Sequence, residues 1–209
     1  MKYAYTAIAL FVPPPYRETI AETSRSCGIR FGSSYVLDEM AFPPHTTMWI
    51  ANIPESNVEK VATVAEESLE MMPAFNVEMG DIVIEDSGYV SIRVQKTEVV
   101  RKLHLQLLTR LDEFREGYVP EKYLKVIEAY PAEQQESIRM YGTRAAGPSF
   151  APHVTVGTVG DQFVSVARRE LPYMLRGARH VTFSVGELVY FKQGIPGKSI
   201  SIIKRFPLT

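Results

Sequence analysis

The feature that most limits what this 209-residue chain can fold into is a motif it carries twice. Phe42 opens FPPHTT and Phe150 opens FAPHVT, so F-x-P-H-x-T recurs with every shared residue displaced by 108 positions, His45 to His153 and Thr47 to Thr155. One H-x-T on a strand is commonplace and has a structural reading, with the histidine satisfied by backbone groups. Two copies, each with a proline before the histidine and a phenylalanine three residues ahead of it, point to two halves of one site.

The surroundings of the copies are alike. Residues 2–12 are rich in Tyr, Ile, Phe and Val and stop at Pro13-Pro14-Pro15, a strand closed by a rigid turn, and a helix follows over about 16–26. Strand composition runs from His45 to Ile53 and is ended by Pro54. Ser56 with Glu59 forms a capping-box pattern ahead of Val58, Val61, Ala62, Ala65, Leu69 and Met72 at helical spacing. FNVEMGDIVIEDSGYVSIRVQ predicts two strands joined around Asp86-Ser87-Gly88, and Thr97 is placed to cap a helix whose apolar face holds Val100, Leu103, His104, Leu107, Leu111 and Phe114. Over about 117–147 the pattern blurs, punctuated by Pro120, Pro131, Gly142 and Gly147-Pro148, and this stretch reads as an insertion. The earlier order then returns: a strand over 153–159, a helix capped by Asp161, and the strands HVTFSVGELVYFKQ and KSISIIKRF around Gly194 to Gly197. The simplest account is one bilobal unit over 1–209, each lobe carrying one H-x-T strand.

Composition narrows the ligand. At 45% hydrophobic the chain can bury a substantial core. A formal net charge of −1 supplies no global basic field for long duplex nucleic acid, which leaves a small phosphorylated ligand or a strand end. Cys27 is the single cysteine, which excludes an intramolecular disulfide and argues against a multi-thiolate zinc site. The opening MKYAYTAIALFVPPP is too short for a membrane span and lacks an A-x-A-like cleavage site, so it reads as the first strand of a cytoplasmic protein. No Gly-rich phosphate loop, H-E-x-x-H or paired-Cys motif occurs, and no metal or cofactor is expected.

Side chains two apart on a strand share a face, roughly 7 Å apart, so His45 pairs with Thr47 and His153 with Thr155. With the two strands side by side, the imidazoles flank a phosphorus and the hydroxyls bind its non-bridging oxygens. A neutral imidazole then deprotonates water and an imidazolium protonates the departing ribose oxygen, each contributing roughly 100- to 10,000-fold. The rate follows a bell-shaped pH curve.

This pattern resembles the 2H phosphoesterase superfamily, with its two H-x-[T/S] motifs, which includes 2',3'-cyclic phosphodiesterases and the bacterial proteins called 2'-5' RNA ligases. The likeness spans AIALFVPPP, FPPHTTMWI, a hairpin, FAPHVTVGT and the closing strand pair ending KRFPL. It implies an α+β fold of two antiparallel sheets facing a central cleft, pseudo-twofold, with helices outside and His45, Thr47, His153 and Thr155 as the catalytic tetrad. It implies a phosphodiesterase that hydrolyses a cyclic phosphate or a 2'-linked phosphodiester of a nucleotide or oligonucleotide. The alternatives are 2'-5' RNA ligation, cleavage of a cyclic oligonucleotide, or a non-catalytic module that binds nucleotides or RNA ends. Gly157 and Thr158 stand where ligase-like members often carry a basic residue, which weakens that branch, and the F-x-P-H context and AIALFVPPP look more like the cyclic phosphodiesterase branch, although its members often carry an aromatic where Thr158 stands.

Further residues have two readings. Trp49 shares the alternation of His45 and Thr47 and is a base-stacking candidate or a core tryptophan. Tyr89, Ser91 and Arg93 alternate onto one strand face, either lining a nucleotide cleft or facing solvent. Tyr190 and Lys192 share a face and are candidates for a ring and a charge at the substrate. His104 falls on an apolar helix stripe and reads as a core histidine, His180 has no accompanying motif, and Arg168, Arg169, Arg176 and Arg179 read as a solvated helix surface.

Overall fold

A computed structural model describes residues 2–33, 35–194 and 199–209. In chain order the elements are β1 (Tyr3–Phe11), α1 (Tyr16–Phe31), β2 (His45–Pro54), α2 (Val58–Leu69), β3 (Phe75–Ile84), β4 (Tyr89–Val94), α3 (Glu98–Leu111), α4 (Glu121–Leu124), α5 (Ala132–Tyr141), β5 (His153–Thr158), α6 (Val164–Met174), β6 (Val181–Val185), β7 (Glu187–Gln193) and β8 (Ile200–Pro207). The fold is α+β and its strand pairs are antiparallel. The two expected sheets are the halves β6-β3-β4-β5 and β2-β1-β7-β8 of one continuous sheet, joined where β2 meets β5 at the pair Thr46 and Val154.

The sequence repeat extends into the backbone. In β1 and β2, Ala9 stands opposite Thr47 and Ile8 opposite Trp49, which leaves Met48 as an extra, bulged residue. In β4 and β5, Ser91 stands opposite Thr155 and Val90 opposite Gly157, which leaves Val156 extra. Each bulge is the third residue after a motif histidine. Both strands consequently begin with the same six-residue alternation of half-buried and buried positions.

The main core lies on the helix-covered face of the sheet, where Ile8, Leu10, Met48, Val154 and Val156 meet Ile20 of α1, Val61 of α2, Leu107 of α3 and Leu171 of α6. A smaller cluster of Ala7, Ala9, Val189 and Phe191 occupies the opposite, open face. Thr97 caps α3 as expected, accepting the Val100 N–H at 3.3 Å. The capping roles expected of Ser56 and Asp161 are not realised. Both lie in one-turn 3-10 helices, Glu55–Asn57 and Asp161–Phe163, that lead from the H-x-T strands into α2 and α6, and neither helix has a side-chain cap. HVTFSVGELVYFKQ is divided at Gly186 into β6 and β7. The turn expected around Gly194 to Gly197 falls largely on 195–198, outside the described residues.

Between α3 and β5 the insertion is folded rather than loose. Buried Arg115 donates to the Asp112 carboxylate at 3.0 Å, to Tyr118 O at 2.7 Å and to Met140 O at 2.5 Å. Ser137 Oγ donates to Thr143 O at 2.7 Å and pairs with the Ala146 backbone at 3.0 and 3.1 Å. Among the described residues, no helix is long and apolar enough to cross a membrane.

The hairpin from β3 to β4 that delivers Tyr89 depends on Gly88, whose φ of +78° and approach to Val159 leave no room for a side chain: a Cβ would lie 2.0 Å from Val159 O. Gly88→Ala is expected to lower unfolding stability by at least about 2 kcal/mol in denaturant titration. Gly186→Ala, whose Cβ would meet nothing within 4 Å, stays near the parent. Equal midpoints for the two variants would contradict the tight-turn account.

Candidate active site

The register at the seam decides what meets what. From Thr46 opposite Val154, one residue either way in the antiparallel sense sets His45 opposite Thr155 and Thr47 opposite His153. Thr46 and Val154 are fully buried on the helix side, so the four motif side chains emerge together on the open face. Directly opposed Cβ atoms are about 5 Å apart and residues two apart about 7 Å, which is a patch on the scale of one phosphate group. The histidines occupy one diagonal and the threonines the other.

Each imidazole is held by the same backbone device. His45 Nδ1 lies 2.7 Å from Pro43 O and His153 Nδ1 lies 2.8 Å from Ala151 O, in each case the carbonyl two residues back. A carbonyl only accepts, so Nδ1 carries the hydrogen in both rings and Nε2 is left as the nitrogen that exchanges protons with a ligand. The residue two before each histidine is thereby explained. The x of F-x-P-H supplies the carbonyl, and Phe42 packs edge-on against the His45 ring at 5.5 Å between centroids. Phe191 closes another side of the same ring at 5.4 Å. Burial among these rings lowers the His45 pKa below its ordinary 6.5, the Pro43 contact opposes this, and the His153 charge adds to the lowering.

His153 Nε2 is engaged by the Tyr89 hydroxyl at 3.0 Å, and the same hydroxyl lies 2.6 Å from Thr155 Oγ1. Burial raises the Tyr89 pKa, with Thr155 and Arg144 pulling it down, so the phenol keeps its proton at neutral pH. Tyr35 also lines the cavity, and its phenol is held well above the usual range, first by burial and then by Tyr89 and Tyr5, with Thr155 pulling it down. Gly157 lets the chain carrying Tyr35 close on β5, since a Cβ there would lie 3.2 Å from both Ser33 Oγ and Tyr35 O. Ser33 Oγ fastens that contact by donating to Tyr35 O at 2.7 Å and accepting the Thr158 N–H at 3.1 Å.

Above this floor is a cavity of about 320 Å³, within the range of small-molecule sites. Its walls include Tyr5, Tyr89 and Gln193 from the sheet, Tyr35 from the segment between α1 and β2, and Tyr123, Thr143 and Ala145 from the insertion. His45, Thr47, His153, Thr155 and Tyr89 are therefore brought together. Arg93 shares their face, directly opposite His153, but its side chain lines a separate shallow hollow with Asp81 and Arg168. Trp49 borders the cavity from the core: the bulge at Met48 turns its ring to the helix side opposite Ile8, where it is 2% exposed. Tyr190 and Lys192 do share a face, but it is the wrong one for the cavity. Tyr190 is fully buried opposite Ile8, and Lys192 Nζ is paired with Glu55 at 2.6 Å, whereas Phe191 and Gln193 alternate towards the site. His104 is the buried histidine expected, and His180 lies at the surface 3.2 Å from Asp81. Arg168 is exposed but not merely solvated, donating to Asp86 at 2.6 Å. Tyr5, Tyr35 and Tyr123 were not anticipated, because they come from three separate segments that share no motif with the histidines.

By sequence, no protein-family model and no curated protein matches the chain. Solved structures do match it along its length. E. coli LigT in apo form superposes with a TM-score of 0.58 at 13% identity, covering 100% of this chain and 99% of that one. The chain shares the LigT fold. A phosphoesterase matches with a TM-score of 0.56 at 14% identity over 100% and 99% of the two chains, and TT0787 of Thermus thermophilus with 0.61 at 11% over 98% and 97%. The expected likeness to 2H phosphoesterases thus holds for the fold.

Two rings titrate abnormally for the same reason, since burial also lowers the pKa of His104. Folded-state values below the unfolded 6.5 mean that the unfolded chain binds protons first as pH falls. Stability from these rings is complete above about pH 6.5 and declines below it. Imidazole NMR titration should place both His45 and His104 under 6.5, with the thermal midpoint dropping on acidification through that range. Titration of either ring at or above 6.5 would contradict the burial argument.

Proposed function

We propose that the chain is a 2H phosphoesterase that hydrolyses a cyclic phosphate or a 2'-linked phosphodiester on a nucleotide or oligonucleotide, without a metal ion. The observation that carries this reading is the four-cornered floor in which two imidazoles, both with Nδ1 committed to a carbonyl, stand diagonally across from each other with a threonine hydroxyl beside each. E. coli LigT has been crystallised complexed with phosphate, 3'-AMP, NADP+ and ATP, which supports a phosphate or nucleotide ligand for this cavity.

The roles follow from the surroundings of each ring. His45, whose burial favours the neutral form, accepts a proton at Nε2 from the attacking water. The new P–O bond forms on the His45 side while the bond to the ribose 2' or 3' oxygen breaks on the His153 side. His153 Nε2–H delivers a proton to that oxygen, leaving a nucleoside monophosphate. Thr47 and Thr155 hydroxyls donate to the non-bridging oxygens as charge accumulates there. Tyr89 holds His153 Nε2 and Thr155 Oγ1 in one arrangement before substrate arrives, which reduces the reorganisation needed at the moment of reaction. Tyr5, Tyr35 and Tyr123 offer the aromatic surface against which a base stacks.

Hydrolysis of a panel of 2',3'-cyclic nucleotides and 2'-5' dinucleotides in EDTA tests this. His45→Ala and His153→Ala should each lower kcat by roughly 100- to 10,000-fold with folding intact by circular dichroism. The rate should rise through a pKa below 6.5 as His45 loses its proton. Activity retained in either variant, or abolished by EDTA, would overturn the mechanism.

A further inference from the structure

The four-cornered floor accounts for one phosphate, yet the cavity above it carries two more positive charges. Lys122 of α4 and Arg144 of the loop after α5 line the same cavity, and no carboxylate does so among the described residues. This is a local excess, because the whole chain has 24 acidic against 23 basic side chains. Other exposed cations on this surface are spent on carboxylates, as Lys125 is on Glu121 at 3.0 Å and Arg168 on Asp86 at 2.6 Å. Lys122 and Arg144 instead lie over aromatic rings. Lys122 Nζ is 5.0 Å from the Tyr123 ring and 5.7 Å from the Tyr5 ring, and the Arg144 guanidinium is 5.9 Å from the Tyr130 ring. Such contacts orient a cation while leaving its charge available to an anion.

The Arg144 position is also held in place. The loop carrying Arg144 is tied at either end by Ser137, which binds Thr143 O and the Ala146 backbone, and by Gly147, whose N–H donates to His104 Nε2 at 2.9 Å. Arg144 is close enough to the floor that its charge lowers the Tyr89 pKa. The insertion thus brings positive charge to a cavity whose floor already has a place for a phosphate.

We infer that the insertion forms a second phosphate subsite, built from Lys122 and Arg144, so that the preferred ligand carries two phosphate groups: one on the ribose 2',3' edge at the floor and another across the nucleoside at the insertion. A terminal 5'-phosphate and the next phosphodiester of a short strand present the same chemistry to this subsite. The inference rests on the phosphoesterase reading for the identity of the first phosphate, but it is tested by binding rather than turnover.

Calorimetric titration of the full chain with adenosine 2'-monophosphate, adenosine 2',5'-bisphosphate and an ApA dinucleotide bearing a 2'-terminal phosphate provides that test. The second phosphate should tighten Kd at least ten-fold at low salt, with the gain shrinking as salt rises, and the bisphosphate-to-monophosphate ratio should fall towards one in Lys122→Ala, Arg144→Ala and the double variant. Gain with the bisphosphate marks a terminal phosphate as the source, and gain with the dinucleotide marks the internal phosphodiester. Equal affinity for all three ligands in the parent, or a ratio that survives the double variant, overturns the subsite. Turnover of cyclic nucleotides, measured separately, decides the phosphoesterase reading whatever the ratio shows.

Discussion

The single backbone pairing between Thr46 and Val154 is the constraint on which the site depends. It joins two four-stranded halves into one sheet and fixes which motif residue of β2 faces which of β5. A slip of one residue would send one strand's His and Thr into the helix-side core and bring a buried residue to the open face. Register is protected because Thr46 and Val154, together with Val156 beyond, are fully buried beneath the helices. The hydrophobic core therefore sets the catalytic geometry indirectly, by selecting the one register that keeps apolar residues inside.

A second tie links the two motifs and the insertion through one neutral ring. His104 Nδ1–H donates to the carbonyl of Met48, the bulged residue just past the first motif, at 2.7 Å. Its Nε2 accepts from Gly147 at the end of the insertion, and its face stacks on Phe150, which opens the second motif, at 3.7 Å between centroids. With a donor on one side and an acceptor on the other, the ring serves only in its neutral form, as its lowered pKa requires. The three segments that must agree for the cavity to exist meet at this one side chain.

Much of this was legible in the chain. The 108-residue offset identified the four floor residues, hydrophobic periodicity found α2 and α3, and strand composition around Asp86-Ser87-Gly88 found the hairpin that carries Tyr89. Alternation failed where the backbone departs from it. Trp49 lies two residues past Thr47, but the intervening bulge at Met48 reverses its side, and no composition signal marks such a bulge. For Tyr190 and Lys192 the alternation was right and the choice of face was not. With apolar residues on both faces of β7, the pattern does not tell the helix side from the open side. The role of the insertion was hidden for another reason. Its contribution to the cavity comes from short pieces fixed by Arg115 and Ser137, and such side-chain-to-backbone ties leave no periodic trace.

The most direct test of the central claim is a crystal structure of the protein with a nucleoside 2'-monophosphate bound. The account predicts one phosphate group at the floor, with its oxygens about 3 Å from Nε2 of both His45 and His153 and from Oγ1 of both Thr47 and Thr155. A phosphate held by only one H-x-T strand, or elsewhere in the molecule with the four-cornered floor empty, would contradict it.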